Sequence, residues 1–153
     1  MSRPVPRAVV EAFYHALSIR DLAALANFLD DEVVWTISGP VDILPFCGQR
    51  VGKALVMKLL GRDSPTVLSG RRFVAKTMLV DRDRAAVLGR LTGTKRASGQ
   101  AISYRIAHFI QFRDEKVIDY VSIIDSFDAA EQMLGYTFDV HDGYPVSGDV
   151  VAV

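Results

Sequence analysis

Helical periodicity confined to the first third of the chain, four strand-like segments behind it, and three- or four-residue turns between those strands together predict an α+β domain: helices laid over one face of a curved antiparallel sheet. The chain has 153 residues, enough for one domain with a substantial core.

Pro6 to Leu17 carries Val9, Val10, Phe13, Ala16 and Leu17 at the spacing of an amphipathic helix, with Pro6 tolerated in its first turn. Asp21 reads as the N-cap of a second helix, Leu22 to Leu29, which the run Asp30–Asp31–Glu32 ends. Val33 to Ile37 is β-branched and aromatic and predicts a strand. SGPVDILPFCGQR, residues 38–50, reads as a long loop, and Val51 to Leu60 as a third helix stopped by Gly61. Arg71–Val80, Arg84–Lys95, Gln100–Phe112 and Lys116–Asp125 are the four meander strands. Phe127–Leu134 closes as a short helix ending at Gly135, followed by a tail without clear period. The expected order is helix, helix, strand, helix, four strands, helix. The sheet's concave face and the helices then enclose a cone-shaped apolar cavity, a natural small-molecule site.

Eighteen basic and eighteen acidic residues cancel, which argues against nucleic acid as a partner. No apolar run is long enough to span a membrane, and the start has no apolar centre of a signal peptide. A single cysteine, Cys47, forms neither an internal disulfide nor a thiolate metal site and suits a cytoplasmic setting. It reads as a small apolar residue. Three scattered histidines lack metal-ligand spacing, and the contexts GQRVGK and GRLTGTK lack the spacing of a phosphate loop, so no metal or other cofactor is expected. Of the histidines, His141 falls in the tail and reads as solvated. Arg71, Arg72, Lys76, Arg90, Lys95 and Arg96 alternate with apolar residues and read as a solvated sheet face.

His108 shares a strand face with Ile106, Ile110 and Phe112, where poor hydration tunes its proton affinity; a bulge would present Arg105, Ala107 and Phe109 instead. Asp125 follows Ile123 and Ile124 and precedes a helix, a place for a desolvated acid/base carboxylate or a helix cap. Phe13, Leu17, Phe46, Met57 and Leu60 read as pocket wall. Tyr14 and His15, beside Phe13, read as surface residues, with a rotated helix turning one of them inward as a donor.

The strings FLDDEVVW, LPFCGQRVG, AHFIQFRDEKV and IIDSFDAAEQMLG, in this order, resemble the NTF2-like superfamily and within it the SnoaL-like polyketide cyclases and ketosteroid-isomerase-related proteins. The resemblance covers residues 5–136; residues 1–136 are taken as the domain and 137–153 as an irregular tail. It implies a cystatin-like cone, a deep apolar pocket and a homodimer through the outer sheet face. It also implies that Val34, Thr36, Ile110, Ser122 and Ile124 join the wall, with Trp35 facing away. The steroid-isomerase positions hold Phe13, His108 and Thr36, and the limonene epoxide hydrolase positions hold Leu91, Gly89 and Ser122, so neither residue set is present. Asp125 matches the polyketide cyclases' acid/base aspartate. The resulting expectation is a cofactor-free isomerase, cyclase or dehydratase acting on an apolar carbonyl-bearing or polycyclic substrate through Asp125 or His108. The alternative is a non-catalytic ligand-binding or dimerising domain.

Overall fold

The computed structural model describes residues 3–139, 143 and 147–150. Helix α1 (Arg7–Ile19) starts after Pro6, and Asp21 caps α2 (Leu22–Phe28), its Oδ1 accepting from the Ala24 amide at 3.0 Å. Strand β1 (Leu29–Ser38) begins earlier than Val33, taking up the acidic run that ends the helix. Residues 38–50 are not all loop: β2 (Gly48–Val51) pairs antiparallel with β1. Gly61 does not stop the third helix. Instead α3 (Lys53–Lys58) widens into a π turn (Leu59–Asp63), then α4 (Ser64–Val67) carries Pro65 in its first turn, where no amide is needed.

The meander runs β3 (Leu68–Asp81), β4 (Arg84–Lys95), β5 (Ala101–Arg113) and β6 (Lys116–Ile124), all antiparallel neighbours. Strand β1 adds to β6 in parallel, giving one curved six-stranded sheet in the order β2-β1-β6-β5-β4-β3. Helix α5 (Ser126–Leu134) ends in left-handed Gly135. The tail lies largely outside the described residues, His141 with it; its first residues turn back, and Phe138 packs edge-on against Phe127.

Strand β5 is the clearest case of sequence dictating facing. Ile102, Tyr104, Ile106, His108, Ile110 and Phe112 are all buried, and the intervening residues are not. His108 therefore faces the concave side, and no bulge displaces it. Of the basic residues assigned to a solvated face, Arg72 and Lys76 are exposed. Lys95 is instead buried, its Nζ donating to the Gln132 and Met133 carbonyls at the C-terminal end of α5, where a cation meets the helix dipole.

Gly89 lets two strands approach. A Cβ there would lie 2.4 Å from the Val74 carbonyl oxygen and 2.5 Å from Phe73 Cζ, so Phe73 lies across the place a side chain would fill. Gly89→Ala is expected to destabilise by roughly 1–3 kcal/mol through overpacking. Urea unfolding checks this against Gly99→Ala, where nothing lies within 4 Å of the added methyl and only the left-handed φ of 73° opposes it. Equal midpoints for the two variants would contradict the packing argument.

Candidate functional site

A cavity of about 90 Å³ opens between the concave face and the helices. Its polar lining comprises Arg20, Ser64, Arg71, Tyr104, His108, Tyr120 and Ser122, set among Leu17, Trp35, Phe46, Phe73 and other apolar side chains.

His108 is 4% exposed. Its Nδ1 lies 2.7 Å from the Tyr14 hydroxyl, and the two rings stack, with Phe73 and Tyr120 also against the imidazole. Burial pushes the His108 pKa down from 6.5 to about 3, so the ring is neutral across the physiological range. Burial also raises the Tyr14, Tyr104 and Tyr120 phenols far above their ordinary value, which keeps them as neutral hydroxyls. Tyr14 is thus not a surface residue: α1 turns it inward, supplying beside His108 the hydroxyl that Phe13 lacks.

Arg71 is the second departure. Gly70 adopts φ 58°, and the β3–β4 register slips between Ser69 and Arg72. This bulge breaks the alternation and aims Arg71 into the cavity rather than at solvent. Its Nη1 donates to Ser64 Oγ, while its buried Nε has no hydrogen-bond partner. Burial lowers the Arg71 pKa, and Arg20 adds like-charge repulsion. Arg20, the left-handed C-cap of α1, is held by its Nη2 donating to the Leu60 carbonyl at 3.0 Å. Among the described residues no carboxylate lines the cavity.

The wall differs in part from the expected one. Leu17, Phe46, Leu60, Ser122 and Ile124 line the cavity. Val34 and Thr36 do not. The buried side chains of β1 are Leu29, Val33 and Trp35, so the inward phase is that of Trp35 and Ile37. Trp35 stacks on Tyr120 at 3.6 Å, and Thr36 Oγ1 instead accepts from Gln49 Nε2 on the edge strand. Phe13 is fully buried in the core, edge-on to Phe28, Phe112 and Tyr120, without reaching the cavity. Ile110 is likewise core, and Met57 is half-buried against the core cluster. Asp125 is not among the lining residues. It occupies the N-cap position of α5 without a side-chain cap bond, and its Oδ2 pairs with Arg105 Nη2 at 3.2 Å, at the surface. Cys47 is buried beside Gly39, and desolvation pushes its thiol up to about 11, in keeping with an inert apolar residue.

The fold is a curved six-stranded sheet packed against helices with a cavity between them. Residues 10–120 match the SnoaL-like domain family, and the chain belongs to it. A candidate isomerase from Rhodopseudomonas palustris is 33% identical, with 82% of this chain and 93% of that one covered and a TM-score of 0.72. TerC, crystallised with polyporic acid, is 23% identical over 83% and 96% of the two chains, with a TM-score of 0.74. A protein of ketosteroid isomerase-like fold from Catenulispora acidiphila, in complex with trimethylamine, is 11% identical over 92% and 100%, with a TM-score of 0.70. Both of these last two show the shared fold. No curated protein matches the sequence. Among the described residues, no helix is long and apolar enough to cross a membrane and no cluster of His, Cys, Asp or Glu is arranged to hold a metal.

The depressed His108 pKa has a signed consequence for stability. Below 6.5 the unfolded chain binds a proton that the folded chain refuses until about pH 3. Its contribution is complete above 6.5 and is lost as pH falls through this window, by up to ~1.4 kcal/mol per pH unit. The difference between wild type and His108→Gln, followed by urea unfolding from pH 7 to pH 4, isolates the term from the acid-titrating carboxylates. Parallel curves would show that His108 does not carry it.

Proposed function

We propose that this SnoaL-like protein is a cofactor-free enzyme that moves a proton on a small apolar carbonyl compound, as in an isomerisation, cyclisation or dehydration, with His108 as the proton carrier. The observation that supports this most is a neutral imidazole lining the cavity, its Nδ1 engaged by Tyr14. In this role Nδ1–H donates to the Tyr14 hydroxyl and Nε2 holds the lone pair. Nε2 takes a proton from the carbon next to the carbonyl, and the electron pair moves to oxygen as an enolate among the cavity's donors. The proton then returns at another carbon. A base whose conjugate acid has pKa near 3 is weak in the empty site. The enolate's charge beside the imidazolium raises that value as the transfer proceeds. Asp125, held by Arg105 outside the cavity, is assigned no proton.

The experiment is isomerisation of 3-cyclohexenone to 2-cyclohexenone, with deuterium uptake followed by NMR in heavy water. Wild type is expected to exceed the buffer rate, and His108→Gln to lose roughly 10²–10⁴-fold. Tyr14→Phe should lose a smaller factor, and Asp125→Asn should change little. The rate should show no inflection near pH 6.5, because His108 is already neutral there. A His108→Gln rate equal to wild type overturns the assignment. The low proton affinity of His108 and the absence of a carboxylate among the described residues of the cavity favour one second reading, a binding-only domain. It predicts ligand binding with deuterium uptake no faster than in buffer.

The same reading takes the protein as a cytoplasmic homodimer joined through the outer sheet face. Supporting it, Leu79, Leu88, Phe109 and Ile123 are large apolar side chains left about half or more exposed on that face. Sedimentation should give twice the 16.9 kDa chain mass, and Phe109→Glu should return it to one chain. A wild-type mass of one chain contradicts the dimer.

A further inference from the structure

The charged groups that line the cavity among the described residues, Arg20 and Arg71, are both cationic. Arg71 is desolvated, the charged group acting on it most is another arginine, and its ion-pair partners include no carboxylate among the described residues. Its Nε is buried without a partner. Independently, Trp35, which lines the same cavity, has an Nε1 that is also buried and unpartnered. Both groups are donors only, so neither can be satisfied by the other. Each leaves a desolvation cost that a hydrogen-bond acceptor would relieve. A buried guanidinium without counter-charge calls for an anion more strongly than for a neutral oxygen. Beyond Arg20, Ser64, Ser122, His108 and the tyrosine hydroxyls the lining is aliphatic and aromatic, and the volume of about 90 Å³ suits a ligand of a few carbons or one small ring.

We infer that the ligand of this cavity is a small apolar carboxylic acid, bound as its carboxylate with the charged oxygens at the Arg71 end and the hydrocarbon part toward His108. This deepens the proton-transfer reading by giving its substrate an acid group, but the two rest on different residues: Arg71 carries binding and His108 carries turnover. A cavity built for a neutral ketone alone has no use for an uncompensated guanidinium. The Arg71–Ser64 bond orients the fork, and the Gly70 bulge is the backbone feature that brings it inward.

The test is equilibrium binding read by fluorescence of Trp35, the only tryptophan, which stacks on Tyr120 inside the site. Butanoate and benzoate are compared with butanamide and benzamide, which keep the shape and lose the charge. The acids are expected to bind at least about tenfold more tightly. Arg71→Gln should bring acid and amide to near-equal affinity, and Arg71→Lys should retain part of the preference. Thermal melts of each variant establish that it is folded; if Arg71→Gln is not, the wild-type preference and its partial survival in Arg71→Lys decide. His108→Gln should keep the preference whatever it does to turnover, so a failure of catalysis leaves this inference standing. Amides binding as well as acids, no saturable binding of either acid, or an unchanged preference in folded Arg71→Gln would each overturn it.

Discussion

Every even-numbered side chain of β5 from Ile102 to Phe112 is turned into the cone, and the rest of the site is built against that row. A strand with this alternation has only one register compatible with burying its apolar set, since a slip of one residue would expose all six. With β5 fixed, β4 and β6 are pinned on either side, Val87 and Ser122 opposite His108. The imidazole is thereby held by backbone pairing on two sides rather than by a loop. Helix α1 then brings the Tyr14 hydroxyl to its Nδ1. Gly89, opposite Ile106, leaves the space in which Phe73 closes over the ring.

Enclosing polar groups this way is costly, and the structure meets the cost unevenly. Lys95 is buried but satisfied by the carbonyls ending α5. Tyr14 and His108 satisfy each other. Arg71 Nε and Trp35 Nε1 are left over, and both lie in the cavity wall. The unevenness is informative, since a core selected only for stability replaces such groups with apolar ones of similar shape. Local conflict of this kind concentrates where a protein meets a ligand.

What could be read from the sequence was whatever obeys a local period or cap rule. Asp21 as a cap, the four meander strands and the inward facing of His108 all follow from spacing over a few residues. The parallel pairing of β1 with β6 is a non-local choice that leaves no local mark, and short β2 hides among prolines and glycines. Arg71 was assigned to the wrong face because the Gly70 bulge inserts a residue and breaks the alternation there. The inward facing of Val34 and Thr36 came from the resemblance alone, whereas the buried phase of β1 is Leu29, Val33 and Trp35. Tyr14 sits one residue from Phe13, a rotation of about 100° on a helix, and only packing decides which of the two aromatic rings meets His108. For Arg71 and Tyr14 a signal existed, a glycine beside a strand or a second aromatic beside the first, but its meaning depended on partners far along the chain.

A fixed cation and a neutral imidazole in one cavity are complementary rather than redundant. Arginine keeps its charge in surroundings that would neutralise a lysine, so it supplies a constant positive end. Histidine, desolvated to the point of refusing a proton, adds no second charge to repel it. The empty site therefore carries positive charge without proton exchange near neutral pH. An anion brought against Arg71 changes both terms together: it offsets the guanidinium's desolvation and, by adding negative charge near His108, makes the imidazole a stronger base. Binding of the proposed anion at Arg71 would thus couple to the proton affinity of His108 through the low-dielectric cavity they share.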